Sequence, residues 1–558
     1  MSLKIVLAQF NSIVGDIASN KERITEFINK GKEMGADLIV FPELVITGYP
    51  PQDLLYERAF IIANKSAVEE ISSACKGLLV ILGFVDYDRK WRLYNSAAII
   101  SDGKIIASVK KTLLPTYDVF DEDRYFEPGT TDEIRPHEVK IGGEMVKLGV
   151  EICEDLWDEN YEIKVTDLLA ARGAQLIINI SSSPFHMGKC SQREELAISK
   201  AMKNKIPFFL CNLIGGQDEL VFDGQSIGVD ASGKLVAYGK AFKEDLVLVN
   251  LDVRKGKGKK VTKPKYNRQR EMFDALSLGI RDYFRKTGFK RAVLGLSGGI
   301  DSAVSACIAA DALGPENVIG VSMPSQFSSQ HSKDDAEQLA MNLGIHYIKF
   351  PIQEIIDAYH QTLKSPLNDL RAMFGVSITA DDPVADENIQ PRVRGNSLMD
   401  FSNRLNDLRI LALNTGNKTE LALGYCTLYG DMTGGVGAIG DVSKLQVYEL
   451  ADYINSKGQK EIIPESTIRK RPSAELKPDQ FDPFDFDIVS PMVDDIIEHR
   501  LSKKELVAKG YPTEIVDDVY ARIRRSEYKR WQAPPCIKIT RKAFGIGWKM
   551  PIVNHYSD

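Results

Sequence analysis

The chain has no CxxC pair, no long apolar run and no excess of positive charge, and each absence removes a class of function. Its seven cysteines in 558 residues are odd in number and form no paired framework. That argues against a disulfide-rich secreted protein and against a thiolate zinc site. No uninterrupted apolar run is long enough to span a bilayer. The start, "MSLKIVLAQFNSIVGD", goes directly into a strand-like run without the basic start, apolar core and small-residue cleavage site of a signal peptide. A net charge of -6 gives no general electrostatic reason to bind nucleic acid. Repeats of solenoid period and low-complexity tracts are lacking too. The expectation is a cytoplasmic protein that binds neither nucleic acid nor membrane and has more than one hydrophobic core.

What is present is an alternation of short apolar runs with amphipathic segments. "LKIVLAQF" reads as a buried strand, Ile24, Phe27, Ile28 and Met34 fall near helical spacing, and "ADLIVFPEL" is strand-like again. The runs "LLVILGF", "SAAIIS", "KIIASV", "MVKLGVEI", "AQLIINI" and "IPFFLCN" make the first half α/β and rich in strand. "RKGKGKKVTKPK", from Arg254 to Lys265, is basic and without apolar periodicity, and reads as a solvated linker. After it, Met272, Phe273, Leu276, Leu278, Ile280 and Phe284 share an approximate helical face ended by Gly288. "RAVLGLSGGIDSAVSACIAADALG" then runs strand, glycine turn, helix, and is followed by strand "NVIGVSMPS" and helix "SKDDAEQLAMNLG". That is a doubly wound pattern. The expected boundaries are a first domain over 1–253, a linker over 254–265 and a second domain over 266–558. Polar stretches between Leu363 and Gln390 and between Ile468 and Ile488 read as loops, of the kind that are either disordered or act as active-site lids.

"GVEICEDLW" sets Cys153 among Glu151, Glu154 and Asp155. Carboxylates oppose a thiolate, so a reactive Cys153 needs a cation from elsewhere in the chain. Strand ends are where α/β folds present chemistry. "LIVFPEL" delivers Glu43, "KIIASVKK" delivers Lys110 and Lys111, and "VKLGVEIC" delivers Cys153. A carboxylate base, an ammonium and a thiol form a kit for acyl transfer. Taken singly, each also reads as ordinary: Cys153 as a small core residue, Glu43 as a strand-end acid, Lys111 as a surface lysine.

In order and spacing, "FPEL", "TGYPP", "KKTLLPTYDVFDEDRYFEPG", "GVEICEDLW" and "SSSPFHMGK" resemble the nitrilase, or carbon-nitrogen hydrolase, superfamily in its glutaminase branch. The resemblance covers nearly all of residues 1 to 250. It implies a nitrilase-like α-β-β-α sandwich, with Glu43 as base, Cys153 as nucleophile, and Lys111 rather than Lys110 as the oxyanion lysine. It implies glutamine contacts from Tyr117, Ser183 and Lys189. Tyr49 and Glu154 are further candidate contacts, since a carboxylate near the nucleophile can hold the substrate's α-ammonium.

"VLGLSGGIDSAV" sets Ser297, Gly298, Gly299, Asp301 and Ser302 between a strand and a helix, where N–H groups at a helix N-terminus suit phosphate. The turn holds neither GxxxxGK[ST] nor GxGxxG. Its SGGxDS pattern resembles the pyrophosphate loop of N-type ATP pyrophosphatases, which cleave ATP to AMP and pyrophosphate while adenylating a substrate. That resemblance implies a doubly wound, Rossmann-like parallel sheet. Farther on, "LALNTGNKTELALGYCTLYGDMTGG" brings Thr415, Lys418 and Glu420 to the mouth of a strand-end turn. With "ENIQPRVRGNSLM", "VSKLQVYELA" and "YKRWQAPP" it resembles the family of NAD synthetases that draw ammonia from glutamine, over essentially the whole chain. This implies that Thr415 joins the 297–302 loop around ATP, that Asn388, Glu420 and Lys529 contact deamido-NAD, and that Asp301 and Glu420 hold Mg2+. It also implies a homo-oligomer and an internal passage that keeps ammonia from bulk water. The residues themselves leave open an amidotransferase with another acceptor, an RNA-modifying pyrophosphatase and a ligand sensor without turnover.

Overall fold

Both faces of the first strand, Ser2–Gln9, are apolar: Leu3, Ile5 and Leu7 point one way, Val6 and Ala8 the other. A strand buried on both sides belongs to an inner layer. The computed structural model describes residues 2–375, 383–458 and 461–556, and the chain divides into two units, Met1–Tyr266 and Asn267–Asp558.

In the first unit that strand sits in a seven-stranded sheet, ordered Lys257–Gly258, Asp245–Asp252, Ser2–Gln9, Leu38–Val40, Leu79–Tyr87, Leu93–Ser101 and Lys104–Lys110. A second sheet runs Leu235–Tyr238, Ile227–Val229, Phe208–Asn212, Leu176–Ser181, Glu144–Ile152 and His137–Ile141. Leu3, Ile5 and Leu7 pack with Leu148, Val150, Ile152 and Ile178 between the sheets. Val6, Ala8 and Ile39 meet Ile24, Phe27 and Ile28 of the helix Ile17–Glu33 and Val68 and Ile71 of the helix Arg58–Ala74. Ile177, Phe208 and Leu210 on the second sheet's outer face meet Leu169 of the helix Val165–Ala171 and Ala197 and Ala201 of the helix Lys189–Asn204. The layers are helix, sheet, sheet, helix, each large apolar side chain contributing about 1.5–3 kcal/mol on burial.

The basic run 254–265, expected as a solvated linker, is tied to this unit. Lys257 and Gly258 pair with Asp252 and Leu251, Val261 N donates to Leu235 O at 3.0 Å, and Lys263 pairs with Glu194 at 2.7 Å.

The second unit holds a parallel five-stranded sheet, ordered His346–Lys349, Val318–Ser322, Arg291–Gly295, Ile410–Asn414 and Val436–Gly437. Val293 faces Val393 and Leu398 of the helix Pro383–Arg404, while the equally buried Ala292 and Leu294 point to the opposite side. The strand order reverses at Arg291–Gly295, so the switch-point crevice opens beyond its carboxyl end, where the 297–302 turn lies.

Most of the stretch 363–390 read as a loop is instead helical, in Gln353–Phe374 and Pro383–Arg404; residues 376–382 of it lie outside the described residues. Tyr359, Leu363, Leu367, Leu370 and Phe374 recur every three or four positions, but Pro366 and Pro391 inside the two helices read as breakers. Between the helices Glu465–Arg469 and Phe486–Ile497 the chain has no regular secondary structure. Among the described residues no helix is long and apolar enough to cross a membrane.

Candidate functional site

Glu43 follows the strand Leu38–Val40, Lys111 directly follows Lys104–Lys110 and Cys153 directly follows Glu144–Ile152, so three strand ends deliver one reactive group each. Lys111 Nζ donates to Glu43 Oε1 at 2.7 Å and to Glu122 at 2.8 Å. Glu43 also accepts from Asn95 Nδ2 at 2.7 Å and from Ser182 N at 2.8 Å, and Tyr49 OH donates to Glu122 at 2.9 Å. Gly83 permits this packing, since a Cβ there would stand 2.2 Å from Leu44 N and 2.6 Å from Glu43 Cα. Cys153 has φ +44°, a left-handed conformation uncommon for a side-chain-bearing residue and of the kind found at functional turns.

The three acids beside Cys153 have separate partners. Glu151 accepts from Thr166 Oγ1 at 2.8 Å and Asn179 Nδ2 at 3.0 Å. Glu154 accepts from Tyr117 OH and Tyr161 OH, both at 3.1 Å. Asp155 accepts from the backbone N–H groups of Ile152, Thr112 and Leu113. Burial, and then Glu43, push the Cys153 thiol well above the ordinary range, and Lys111 only partly opposes them. Burial disfavours the Lys111 ammonium, but Glu122 and Glu43 overcome it and hold it well above the ordinary lysine range. Burial raises the Glu122 carboxyl against the pull of Lys111. The arrangement keeps a neutral thiol at rest and suits proton removal during attack rather than before it.

Lys110, one residue back, points elsewhere: it pairs with Glu133 at 2.6 Å and lies over the Tyr94 ring. Ser183 is buried, its N–H on Asn212 Oδ1 at 3.1 Å, and the Lys189 ammonium lies 3.5 Å above the Trp157 ring. Sequence reasoning singled out neither Glu122, Asn95, Ser182 nor Tyr161. Glu122 stands in the acid-rich string "DEDRYFEPG", where nothing marks one carboxylate as buried.

In the second unit, Gly299 caps the helix Ile300–Leu313, Gly299 N donates to Ser297 Oγ at 3.1 Å, and Ser302 Oγ donates to Gly299 O at 2.9 Å. Gly298 has φ +76°, and a Cβ there would meet Ser332 O at 2.1 Å. A cavity of about 270 Å³ opens beside this turn, lined among others by Ser297, Ser332, Arg394, Thr415, Thr427 and Glu475. A neighbouring one of about 140 Å³ is lined by Ser297, Asp301, Ser302, Thr415, Glu420 and Cys426 among others. Thr415, Asp301 and Glu420 thus come together with the 297–302 turn.

Asp301 accepts from Asn417 Nδ2 at 2.9 Å and pairs with Lys444, whose ammonium lies 3.6 Å from Glu420. Burial, then Asp301, push the Glu420 carboxyl up to about 8 against the pull of Lys444. Two carboxylates crowded on one cation suit Mg2+, which commonly takes one or two protein carboxylates and completes its shell with water and phosphate oxygens. Among the described residues there is no group of three or more His, Cys, Asp or Glu that could hold a metal ion. Asn388 Oδ1 accepts from Thr427 Oγ1 at 2.9 Å, and Lys529 Nζ donates to Gly424 O at 2.8 Å and Cys426 O at 2.6 Å. Both therefore brace the loop 424–427, and neither lines the two cavities. A GxGxxG spacing does occur at 435–440, but Cβ atoms at Gly437 and Gly440 would meet the Cys536 sulfur at 2.7 and 2.1 Å. Those glycines serve close packing.

A carbon-nitrogen hydrolase family model matches residues 4–257 and an NAD synthase family model matches residues 272–533. The chain thus carries a carbon-nitrogen hydrolase domain followed by an NAD synthase domain. The chain is 40% identical to the glutamine-dependent NAD(+) synthetase of Thermotoga maritima, over 100% of this chain and 99% of that one. It is 42% identical to that of Aquifex aeolicus, over 99% and 100%. The solved structure of glutamine-dependent NAD+ synthetase from Acinetobacter baumannii, in complex with ADP, is 36% identical, with a TM-score of 0.77 and 99% of both chains covered. The chain belongs to the glutamine-dependent NAD+ synthetase family.

Proposed function

We infer that the chain is a glutamine-hydrolysing NAD+ synthase, which amidates the nicotinate carboxylate of deamido-NAD with ammonia from glutamine and cleaves ATP to AMP and pyrophosphate. The observation that carries this reading is the full-length likeness at 40% identity. The two site clusters supply the groups that its two half-reactions need.

In the first half-reaction Cys153 Sγ attacks the side-chain amide carbon of glutamine while Glu43 takes the thiol proton. The Lys111 ammonium balances the negative charge on the carbonyl oxygen. Glu43 returns its proton to the departing nitrogen, ammonia leaves, and a thioester remains. Water, deprotonated by Glu43, releases glutamate. Tyr49, Tyr117, Ser183 and Lys189 contact the substrate, and Glu154, held by Tyr117 and Tyr161, takes its α-ammonium.

In the second, a nicotinate oxygen attacks the α-phosphorus of ATP and pyrophosphate leaves against Ser297, Gly298, Gly299 and Ser302, with Thr415 on the nucleotide. Ammonia then attacks the carboxyl carbon of the adenylate and AMP departs with the bonding electrons. Asn388, Glu420 and Lys529 serve deamido-NAD. Mg2+, held by Asp301 and Glu420, would offset the charge of the phosphates.

A cytoplasmic location goes with this reading, supported by seven free cysteines, six of them buried. A homo-oligomer goes with it too. Its support is the helix Gln353–Phe374, which leaves Tyr359, Leu363, Leu367, Leu370, Met373 and Phe374 between 39% and 77% exposed along one side.

The test is NAD+ and AMP production from deamido-NAD, ATP and magnesium, with glutamine or with ammonium. Equimolar NAD+ and AMP from either nitrogen source is expected. AMP without NAD+, or formed only with another acceptor, would overturn the substrate assignment.

A further inference from the structure

One carboxylate reaches two of the three segments that carry the reactive groups of the first unit. Asp155 Oδ1 accepts from Thr112 N at 3.0 Å and Leu113 N at 2.9 Å, the two residues that follow Lys111. Its other oxygen, Oδ2, accepts from Ile152 N at 3.0 Å, the residue that precedes Cys153. The side chain is 1% exposed, so the three bonds form away from competing water. Each oxygen therefore serves a different segment: one fixes the exit from the strand Lys104–Lys110, the other the entry to the left-handed turn at Cys153.

We propose that Asp155 is a positioning residue for glutamine hydrolysis, strapping the Lys111 segment to the Cys153 turn so that ammonium and sulfur keep their relative placement. The proposal rests on the reading of Cys153 and Lys111 as nucleophile and oxyanion cation. The Lys111 backbone is otherwise anchored by Lys111 N to Asn95 O at 2.8 Å and Gly129 N to Lys111 O at 2.8 Å, and its ammonium by Glu43 and Glu122, none of which belongs to the cysteine turn. Burial pushes the Asp155 carboxyl up to about 7, a cost that the three N–H donors and Lys111 only partly offset. A buried acid held at such a cost is worth keeping where it fixes geometry.

Asp155→Asn tests the strap with no change of size. An amide has one oxygen, so it can keep one arm only, and its NH2 group then faces an N–H on the other. Wild type and variant are compared for glutamate release and, by calorimetry, for glutamine binding. Wild-type glutamate release that needs Cys153 secures the underlying reading first. The variant is then expected to show kcat about a hundredfold lower, with KM and glutamine affinity within about threefold, because a displacement near 1 Å costs that much in rate. An unchanged kcat overturns the proposal. Loss of glutamine binding together with turnover overturns it as well, since it assigns Asp155 to the fold alone.

Discussion

Lys111 Nζ lies 2.7 Å from Glu43 Oε1, with the two side chains 1% and 0% exposed. A second carboxylate, Glu122, completes the set at 2.8 Å. One ammonium thus holds two buried acids, and removing it leaves both facing each other without water. Lys111→Met keeps all but the last atom of the side chain's length and removes the charge. Breaking such a pair from one side costs about 3–5 kcal/mol, and in the proposed mechanism the loss of Lys111 as oxyanion cation should cost about a hundredfold or more in rate. Urea unfolding and glutamate release measure the two effects. A variant as stable as wild type would show that the ammonium does not hold the acids in place.

Glu151, on the second sheet of the same unit, offers a pH test. Its carboxyl is fully buried, and burial first, then Asp155, push it up to about 8, against Asn179 and Thr166. The ordinary value is 4.5, so between about 4.5 and 8 the folded chain holds a proton that the unfolded chain has lost. Stability from this group is complete below 4.5 and falls as pH rises toward 8, by about 1 kcal/mol per pH unit. Glu151→Gln removes the titration and keeps the size. Its unfolding free energy relative to wild type should climb from pH 5 to pH 8 and level off above. A constant difference across that range would mean that Glu151 is ionised in the fold.

The strands, and the placement of Glu43, Lys111 and Cys153 at their ends, were legible because apolar alternation and the motifs around these residues are local. What was not legible depends on partners far along the chain. Glu122 becomes special only by meeting Lys111 and Tyr49, and Lys444 only by reaching Asp301 across more than a hundred residues. The helices Gln353–Phe374 and Pro383–Arg404 were hidden by their internal prolines, which read as breakers from sequence alone. The run 254–265 is mostly exposed, as its charge suggests, but its ties to the first unit, backbone pairing and an ion pair with Glu194, are not visible as apolar periodicity.

The exposed face of the helix Gln353–Phe374 bears on assembly. Two copies packed through this helix would cover its apolar stripe, Tyr359, Leu363, Leu367, Leu370, Met373 and Phe374, on both chains. A stable dimer needs about 800 Å² per partner, and six large side chains at this exposure supply a substantial share. Leu367→Glu with Leu370→Glu should halve the particle mass seen by light scattering. An unchanged mass would remove this helix from the interface.

Gly298 makes the second unit's turn sensitive to a single methyl group. Its φ is +76°, and a Cβ would stand 2.1 Å from the Ser332 carbonyl oxygen. Alanine pays about 1–2 kcal/mol for the left-handed conformation alone, and the contact also forces the turn away from the helix Gln330–Leu343. Gly298→Ala should lower AMP formation at least about a hundredfold, while glutamate release without ATP stays near the wild-type rate. AMP formation at the wild-type rate would show that the turn can shift without losing the phosphates.

Cys153→Ala separates the two chemistries. In the proposed mechanism the thiol bonds to the amide carbon, so glutamine-driven NAD+ formation should fall at least about a thousandfold. Ammonium-driven formation bypasses the thioester and should stay within about twofold of wild type. It should also rise with pH in both proteins, because only the free base attacks an adenylate. If ammonium-driven synthesis fell along with glutamine use, the thiol would be needed beyond the release of ammonia, and the division of labour between the two clusters would have to be redrawn.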